Sequence, residues 1–172
     1  MTRIVQHIWG AIKQENTEKC LPIFDSDKPI KSTGDMRTWY TGKPCERTKK
    51  SHINVCVYDS SWEAADAFVL DNSEYVSAWV KNDHLGFEIL YIYRGIVSKY
   101  RPDFLIRLVN GEMLVLETKG EESDKDKVKY LYTQEWIQGV NAHGGFGRWC
   151  FAVARNPGDI KDILKEKSGY RS

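Results

Sequence analysis

The sequence predicts an α/β fold in which a mixed β-sheet is flanked by helices. Three features point there. A capped helix at residues 60–72 follows a short apolar strand. Three strand-like segments then fall between residues 87 and 118 with turn residues between them. A striped helix at 123–141 leads into one more apolar strand. Hairpins make part of such a sheet antiparallel, and a crossover through a helix adds a parallel strand.

Each element has its own signal. Residues 3–14 place Ile4, Ile8 and Ile12 at helical spacing, with Val5, His7 and Ala11 alongside, and predict a helix. Residues 21–51 read as irregular, punctuated by Pro22, Pro29, Gly34, Gly42 and Pro44. The chain thus divides into an N-terminal helix and basic arm at 1–51 and a core at 52–172. Residues 52–58 alternate Ile53, Val55 and Val57 as a strand does. Ser60 and Glu63 have the spacing of a capping box, and the helix they open puts Trp62, Ala65 and Val69 on one face. Residues 75–80 suit a strand or a helix. Strands are expected at 87–93, 100–108 and 113–118, with Arg94-Gly95 and Asn110-Gly111 as turns. Val128, Leu131, Tyr132, Trp136 and Val140 stripe the next helix, which Gly144-Gly145 ends. Residues 148–154 read as a buried strand and 158–167 as a closing helix.

Composition bounds the function. The 172 residues fit one domain, or a domain with an arm, and are 41% hydrophobic and 28% charged with a net charge of +1. No overall basic charge marks a nucleic-acid binder. Residues 28–55 nevertheless hold seven basic side chains against two acidic ones, and within them Lys43, Arg47, Lys49 and Lys50 are candidates to grip phosphates. A solvated arm is the other use of such a stretch. Cys20, Cys45, Cys56 and Cys150 lack metal-site spacing, and the histidines form no paired motif, which argues against structural zinc and against a disulfide framework. There is no signal peptide and no apolar run of the ~20 residues that span a bilayer. A cytoplasmic protein without a membrane partner is the expectation.

Chemistry concentrates in Tyr100-Arg101-Pro102-Asp103-Phe104 and in Leu114-Val115-Leu116-Glu117-Thr118-Lys119-Gly120. Met113 to Leu116 is apolar and belongs in the core, yet it runs straight into Glu117 and Lys119. Period 2 sets those two on one face. A tight hairpin at Asn110-Gly111 brings Asp103 beside Glu117. Two carboxylates so placed repel each other, and a divalent cation relieves the repulsion. Hard oxygen donors suit Mg²⁺, with Mn²⁺ as a substitute. Lys119 is placed to orient a water or to neutralise charge developing on phosphate. Taken singly, Pro-Asp is a turn and Glu-x-Lys an exposed ion pair; the combination on adjacent strands is what is specific.

Pro102-Asp103 followed by Glu117-Thr118-Lys119 resembles the signature of the PD-(D/E)xK nuclease superfamily. Ser51-His52, Asp59-Ser60 with Trp62-Glu63, Val80-Lys81-Asn82, Leu85-Gly86-Phe87, Val140-Asn141 and Gly147-Arg148-Trp149 extend the likeness over about residues 30 to 155. Together they resemble the C-terminal endonuclease domain of type III restriction enzyme restriction subunits. The resemblance implies a PD-(D/E)xK restriction-endonuclease-like core and Mg²⁺-dependent hydrolysis of double-stranded DNA, leaving 5′-phosphate and 3′-hydroxyl ends. Asp103, Glu117 and Lys119 are then catalytic. Asp103, Glu117, the Thr118 backbone carbonyl and Glu63 become metal ligands or supports. It also implies an upstream helicase/ATPase domain and a methyltransferase subunit as partners, although no GxxxxGK[ST] phosphate loop lies in this chain. The competing reading is a DNA-binding or docking module that cuts only when assembled with those partners. Gln134 reads as a surface residue. His143 stands alone, and Trp39, Tyr40, Tyr91 and Tyr93 are weaker candidates for stacking on bases.

Overall fold

A computed structural model describes residues 33–169, so the helix expected at 3–14, Cys20 and the first part of the arm lie outside the described residues. After a short 3₁₀ turn, Thr33–Asp35, the elements in chain order are β1 (Cys45–Arg47), β2 (Val55–Val57), α1 (Ser61–Asn72), β3 (Val76–Lys81), β4 (Ile89–Tyr93), β5 (Ile96–Tyr100), β6 (Phe104–Leu108), β7 (Met113–Thr118), α2 (Asp124–His143), β8 (Trp149–Ala154) and α3 (Asp159–Lys167). The fold is mixed α/β. Its central sheet has the order β3-β6-β7-β8, with two small ladders, β1-β2 and β4-β5, beside it.

The central sheet is mixed for the expected reason. β3 pairs antiparallel with β6, and β6 with β7 through the Asn110-Gly111 turn, where Gly111 takes the φ of 87° that side chains disfavour. β8 returns parallel to β7 after crossing over in α2. β7 is buried along Leu114 to Glu117, as a central strand covered on both faces must be. α1 and α3 cover one face: Ala67, Leu70, Ile160 and Leu164 join Trp79, Phe104, Ile106, Leu108, Leu114 and Leu116 in one core. α2 lies against β8 and the β4-β5 hairpin, where Val128, Tyr132 and Trp136 pack on Ile89, Tyr91 and Tyr100.

Three readings of the sequence need correction. The strand expected over 100–108 is two strands, because Pro102 offers no N–H to a ladder and the chain turns at residues 101–103. Before the break only Tyr100 is strand, as the last residue of β5, which pairs with β4; after it Phe104–Leu108 joins the central sheet. α1 leaves Trp62, 44% exposed, and Ala65 outside and only partly buries Val69 against the core; the residues it buries are Asp66, Ala67, Leu70 and Asp71. Apolar and acidic residues are mixed around this helix, so periodicity alone does not choose its inner face. Likewise α2 buries Asp126, Tyr130, Thr133 and Ile137, while Leu131 from the expected stripe is exposed. The ambiguous segment near 75–80 is a strand.

The arm is not irregular to its end. β1 pairs with β2, so residues 45–47 belong with the core across the boundary drawn at 51. Asp71 anchors the next few residues of the arm. Its carboxylate accepts from the Lys49 and Lys50 backbone amides at 2.8–3.0 Å and from the Trp79 indole at 3.0 Å. Burial alone raises its pKa. The amides and the indole outweigh burial and hold the carboxyl below its ordinary 3.8. Its contribution is therefore present above that value and fades as pH falls below it. Asp71→Ala strands three donors and should cost on the order of 3 kcal/mol in urea unfolding at pH 7. A change within about 0.5 kcal/mol would mean that this carboxylate does not tie the arm to the core.

Candidate active site

Asp103 and Glu117 meet at one end of the β6-β7 hairpin. The register sets Phe104 opposite Leu116, so the next residues outward, Asp103 and Glu117, come side by side as the hairpin spacing expects. Asp103 is fixed by backbone at both ends of the residue. Its carbonyl accepts from Asn82 N at 2.8 Å, and its Oδ2 accepts from Thr118 N at 2.8 Å. Glu117 is only 7% exposed, and its Oε2 accepts from the Tyr100 hydroxyl at 2.7 Å. The site lies where the parallel pair β7-β8 ends at Thr118 and Ala154, the edge at which open α/β sheets form ligand crevices.

The pleat of β7 sends successive side chains to opposite layers. Thr118 faces α1, where its hydroxyl donates to Asp66 Oδ2 at 2.8 Å. Glu117 and Lys119 face α2. Lys119 Nζ lies 3.7 Å from Asp126 Oδ2 on that helix, and its side chain is 40% exposed. Gly120 then passes under the Trp62 ring, where an added Cβ would meet ring carbon Cη2 at 3.3 Å. The motif is thus clamped between the starts of two helices.

Glu63 is engaged before any ligand arrives. Ser60 caps α1 by accepting from Glu63 N at 3.2 Å, as the capping spacing expects. The Glu63 carboxylate takes Asp59 N at 2.7 Å and Lys81 Nζ at 2.8 Å. Lys81 is 9% exposed and also bonds Val57 O and Asp59 Oδ2, both at 3.0 Å. One turn further along α1 stands the acid that sequence reasoning missed. Asp66 is fully buried, Thr118 links it to Asp103, and its Oδ1 has no hydrogen-bond partner. A carboxylate inside the Ala67-Leu70 face was the available signal, hidden by the wrong choice of inner face. Tyr100, which opens the first motif stretch, also borders the site, and Asp126 and Lys129 are further neighbours that the motif did not mark.

Burial sets the electrostatics. Desolvation pushes the Glu117 carboxyl up to about 7 from an ordinary 4.5, and the Asp103 charge adds to the push. Asp103 itself is raised, by burial first, against the Thr118 amide. Asp66 is raised to about 6 by burial, then by the Asp103 and Glu63 charges, with the Thr118 hydroxyl opposing. Among the described residues three buried side-chain polar atoms lack a partner: Asp66 Oδ1, Asn82 Oδ1 and Tyr130 OH. All three border this site. Asp66 is linked to Asp103 through Thr118, Asn82 bonds the Asp103 carbonyl, and Tyr130 feels the Glu117 charge.

Among the described residues no three carboxylate, imidazole or thiol side chains converge closely enough to hold a metal ion by themselves. Asp103 and Glu117 supply two. That number suits Mg²⁺, which keeps several waters and takes one or two carboxylates with a substrate phosphate. The four basic arm residues are placed unequally. Lys43 pairs with Asp59, and Lys49 Nζ reaches Asn72 Oδ1 at 3.2 Å. Lys50 Nζ bonds the Ser73 and Val76 carbonyls behind α1. Arg47 projects to solvent from β1. Gln134 is exposed, Tyr91 lies in the core, Tyr40 is open to solvent, and Trp39 stacks on His84 with ring centroids 4.4 Å apart.

The raised acids fix a pH dependence. A folded-state pKa above the unfolded value means that the native protein binds more protons, so stability falls as pH rises. For Glu117 the window runs from about 4.5 to about 7. Metal-free protein should lose stability across that window, and Glu117→Gln should flatten the loss. Thermal melting in chelator between pH 4.5 and 7.5 measures both. A wild-type curve that rises to pH 7 and matches the variant would contradict the burial of this charge.

Comparison of the chain with protein-family models, with curated proteins and with solved structures finds no match.

Proposed function

We propose that this chain is a divalent-cation-dependent endonuclease that hydrolyses DNA phosphodiester bonds at Asp103, Glu117 and Lys119. The observation that carries the reading is the burial of two mutually repelling carboxylates side by side, with a lysine on the Glu117 face two residues on. Folding alone gives no return on such an arrangement, since each acid costs desolvation and raises the cost of the other. A cation reverses the sign of that interaction. The order α1, β3, β6, β7, α2, β8 accords with a PD-(D/E)xK restriction-endonuclease-like core. By its resemblance to type III restriction subunits, the chain is the nuclease part of a type III restriction-modification enzyme, acting with a helicase/ATPase domain and a methyltransferase subunit.

Asp103 and Glu117 would hold the cation, Mg²⁺ or in its place Mn²⁺, with the Thr118 backbone carbonyl as the further ligand that the resemblance implies. A cation held there would polarise the scissile phosphate and acidify a water. The remaining work belongs to the chain. Thr118 N fixes the Asp103 carboxylate, and Tyr100 fixes one oxygen of Glu117. Lys119 presents an ammonium to the phosphate oxygens as water adds to phosphorus and the bond to the 3′-oxygen breaks. Asp66, buried and tied to Asp103 through Thr118, would support the cation from the α1 side and take the part that the resemblance assigns to Glu63.

One observation favours the alternative of a docking module that cuts only in its assembly. Lys43, Lys49 and Lys50 each hold a contact within the fold, which engages part of the charge that would grip a duplex unaided. The two readings part in one assay. The isolated chain should nick plasmid DNA with Mg²⁺ or Mn²⁺ and not with EDTA, and Asp103→Ala, Glu117→Ala and Lys119→Ala should each lose ~100-fold or more. Cleavage only after adding helicase and methyltransferase partners would select the docking reading, and undiminished cleavage by Glu117→Ala would exclude both.

The two acids of α1 separate in the same assay. Asp66→Asn removes the carboxylate with the open oxygen and should slow cleavage by ~10–100-fold with an unchanged melting temperature. Glu63→Gln keeps an acceptor for Asp59 N and should cost less than 10-fold. The reverse ranking would return metal support to Glu63.

A further inference from the structure

We propose that Lys129 is a second phosphate-binding lysine of this site, presented beside Lys119 by the buried carboxylate of Asp126. The inference rests on the nuclease reading and deepens it: the substrate is met by two ammoniums, one from β7 and one from α2. Asp126 is 3% exposed and closes the capping box of α2, with Ser123 N and Oγ donating to its Oδ2 at 3.0 and 2.6 Å. Its other oxygen accepts from Lys129 Nζ at 2.7 Å, and Lys119 Nζ stands 3.7 Å from Oδ2. One fixed carboxylate thus brings two lysines from different elements together.

An i,i+3 Asp-Lys pair on a helix is usually a solvent-facing ornament worth a few tenths of a kcal/mol. This pair faces inward. The Lys129 side chain is 19% exposed, and its ammonium lies 5.6 Å from the centroid of the Tyr100 ring, whose hydroxyl holds Glu117. Its charge is close enough to favour the ionised form of Glu117. Among the described residues its one hydrogen-bond acceptor is Asp126, so donors remain for a ligand. A partly exposed ammonium with free donors beside a catalytic carboxylate fits a non-bridging phosphate oxygen.

The test reads DNA binding in Ca²⁺, where cleavage is suppressed. Anisotropy of a labelled duplex gives the slope of log K against log salt for wild type, Lys129→Gln, Lys129→Arg and Lys161→Gln, the last on α3 in the opposite layer. Each phosphate contact contributes about 0.9 to that slope. Lys129→Gln should lower it by about one, while Lys129→Arg and Lys161→Gln keep it, each read below the melting temperature of the variant. In Mg²⁺, Lys129→Gln should cleave ~10-fold more slowly or worse. An unchanged slope for folded Lys129→Gln, with wild type still cleaving, would overturn the proposal and leave the nuclease reading standing. A lowered slope with no cleavage by wild type would sustain the contact and overturn the nuclease reading; no duplex binding at all would overturn the proposal.

Discussion

The register between β6 and β7 is the constraint on which the rest of the structure depends. Pairing Phe104 with Leu116 puts Leu114, Leu116 and Thr118 toward α1 and Val115, Glu117 and Lys119 toward α2. Side chains alternate with period 2, so a slip of one residue would drive Glu117 into the Phe104-Leu70 core and pull Leu116 out of it. The apolar residues therefore hold the carboxylates in place. The unfavourable burial of Asp103 and Glu117 is offset by the favourable burial of their neighbours on the same strands.

Charge is segregated about that strand pair. On the α1 side, Glu63 and Asp59 are balanced by Lys81 and Lys43, and Asp66 stays buried with a single hydrogen bond from Thr118. On the α2 side, Asp126 gathers Lys119 and Lys129. Burial raises the Asp126 pKa, but Lys129 and the two Ser123 donors outweigh it and hold the carboxyl far below the ordinary range. Asp126 therefore stays charged where Glu117 and Asp66 are poised near neutrality. Acids of opposite behaviour within one site are what a division of labour requires: one set titrates or binds a cation, and the other fixes lysines.

Much of this was legible in the sequence, for identifiable reasons. Asn110-Gly111 announced a hairpin, and a hairpin of known length aligns Asp103 with Glu117 by arithmetic. Ser60 and Glu63 announced the start of α1. The strand break at Pro102 was readable too, had the missing N–H been weighed against the apolar run around it. Asp66 was not readable, because α1 is apolar on several sides and its inner face is chosen by the sheet it meets. Asp126 looked like one more charge at a helix start. Its role depends on Lys119 and Lys129 arriving from two elements, which no local pattern encodes. The alternation of Val55 and Val57 announced β2, but its partner β1 is three exposed residues that carry almost no strand signal of their own.

The central claim is that Asp103 and Glu117 share one divalent cation, and calorimetric titration with Mn²⁺ at pH 6.5 tests it most directly. Glu117 titrates near 7, so a part of the protein carries its proton at that pH and must release it when a cation binds. Repeating the titration in buffers of different ionisation enthalpy measures the protons released. One Mn²⁺ per chain with release of a fraction of a proton, both lost in Glu117→Gln, is the expected result. Equal binding and equal proton release by wild type and Glu117→Gln would contradict it.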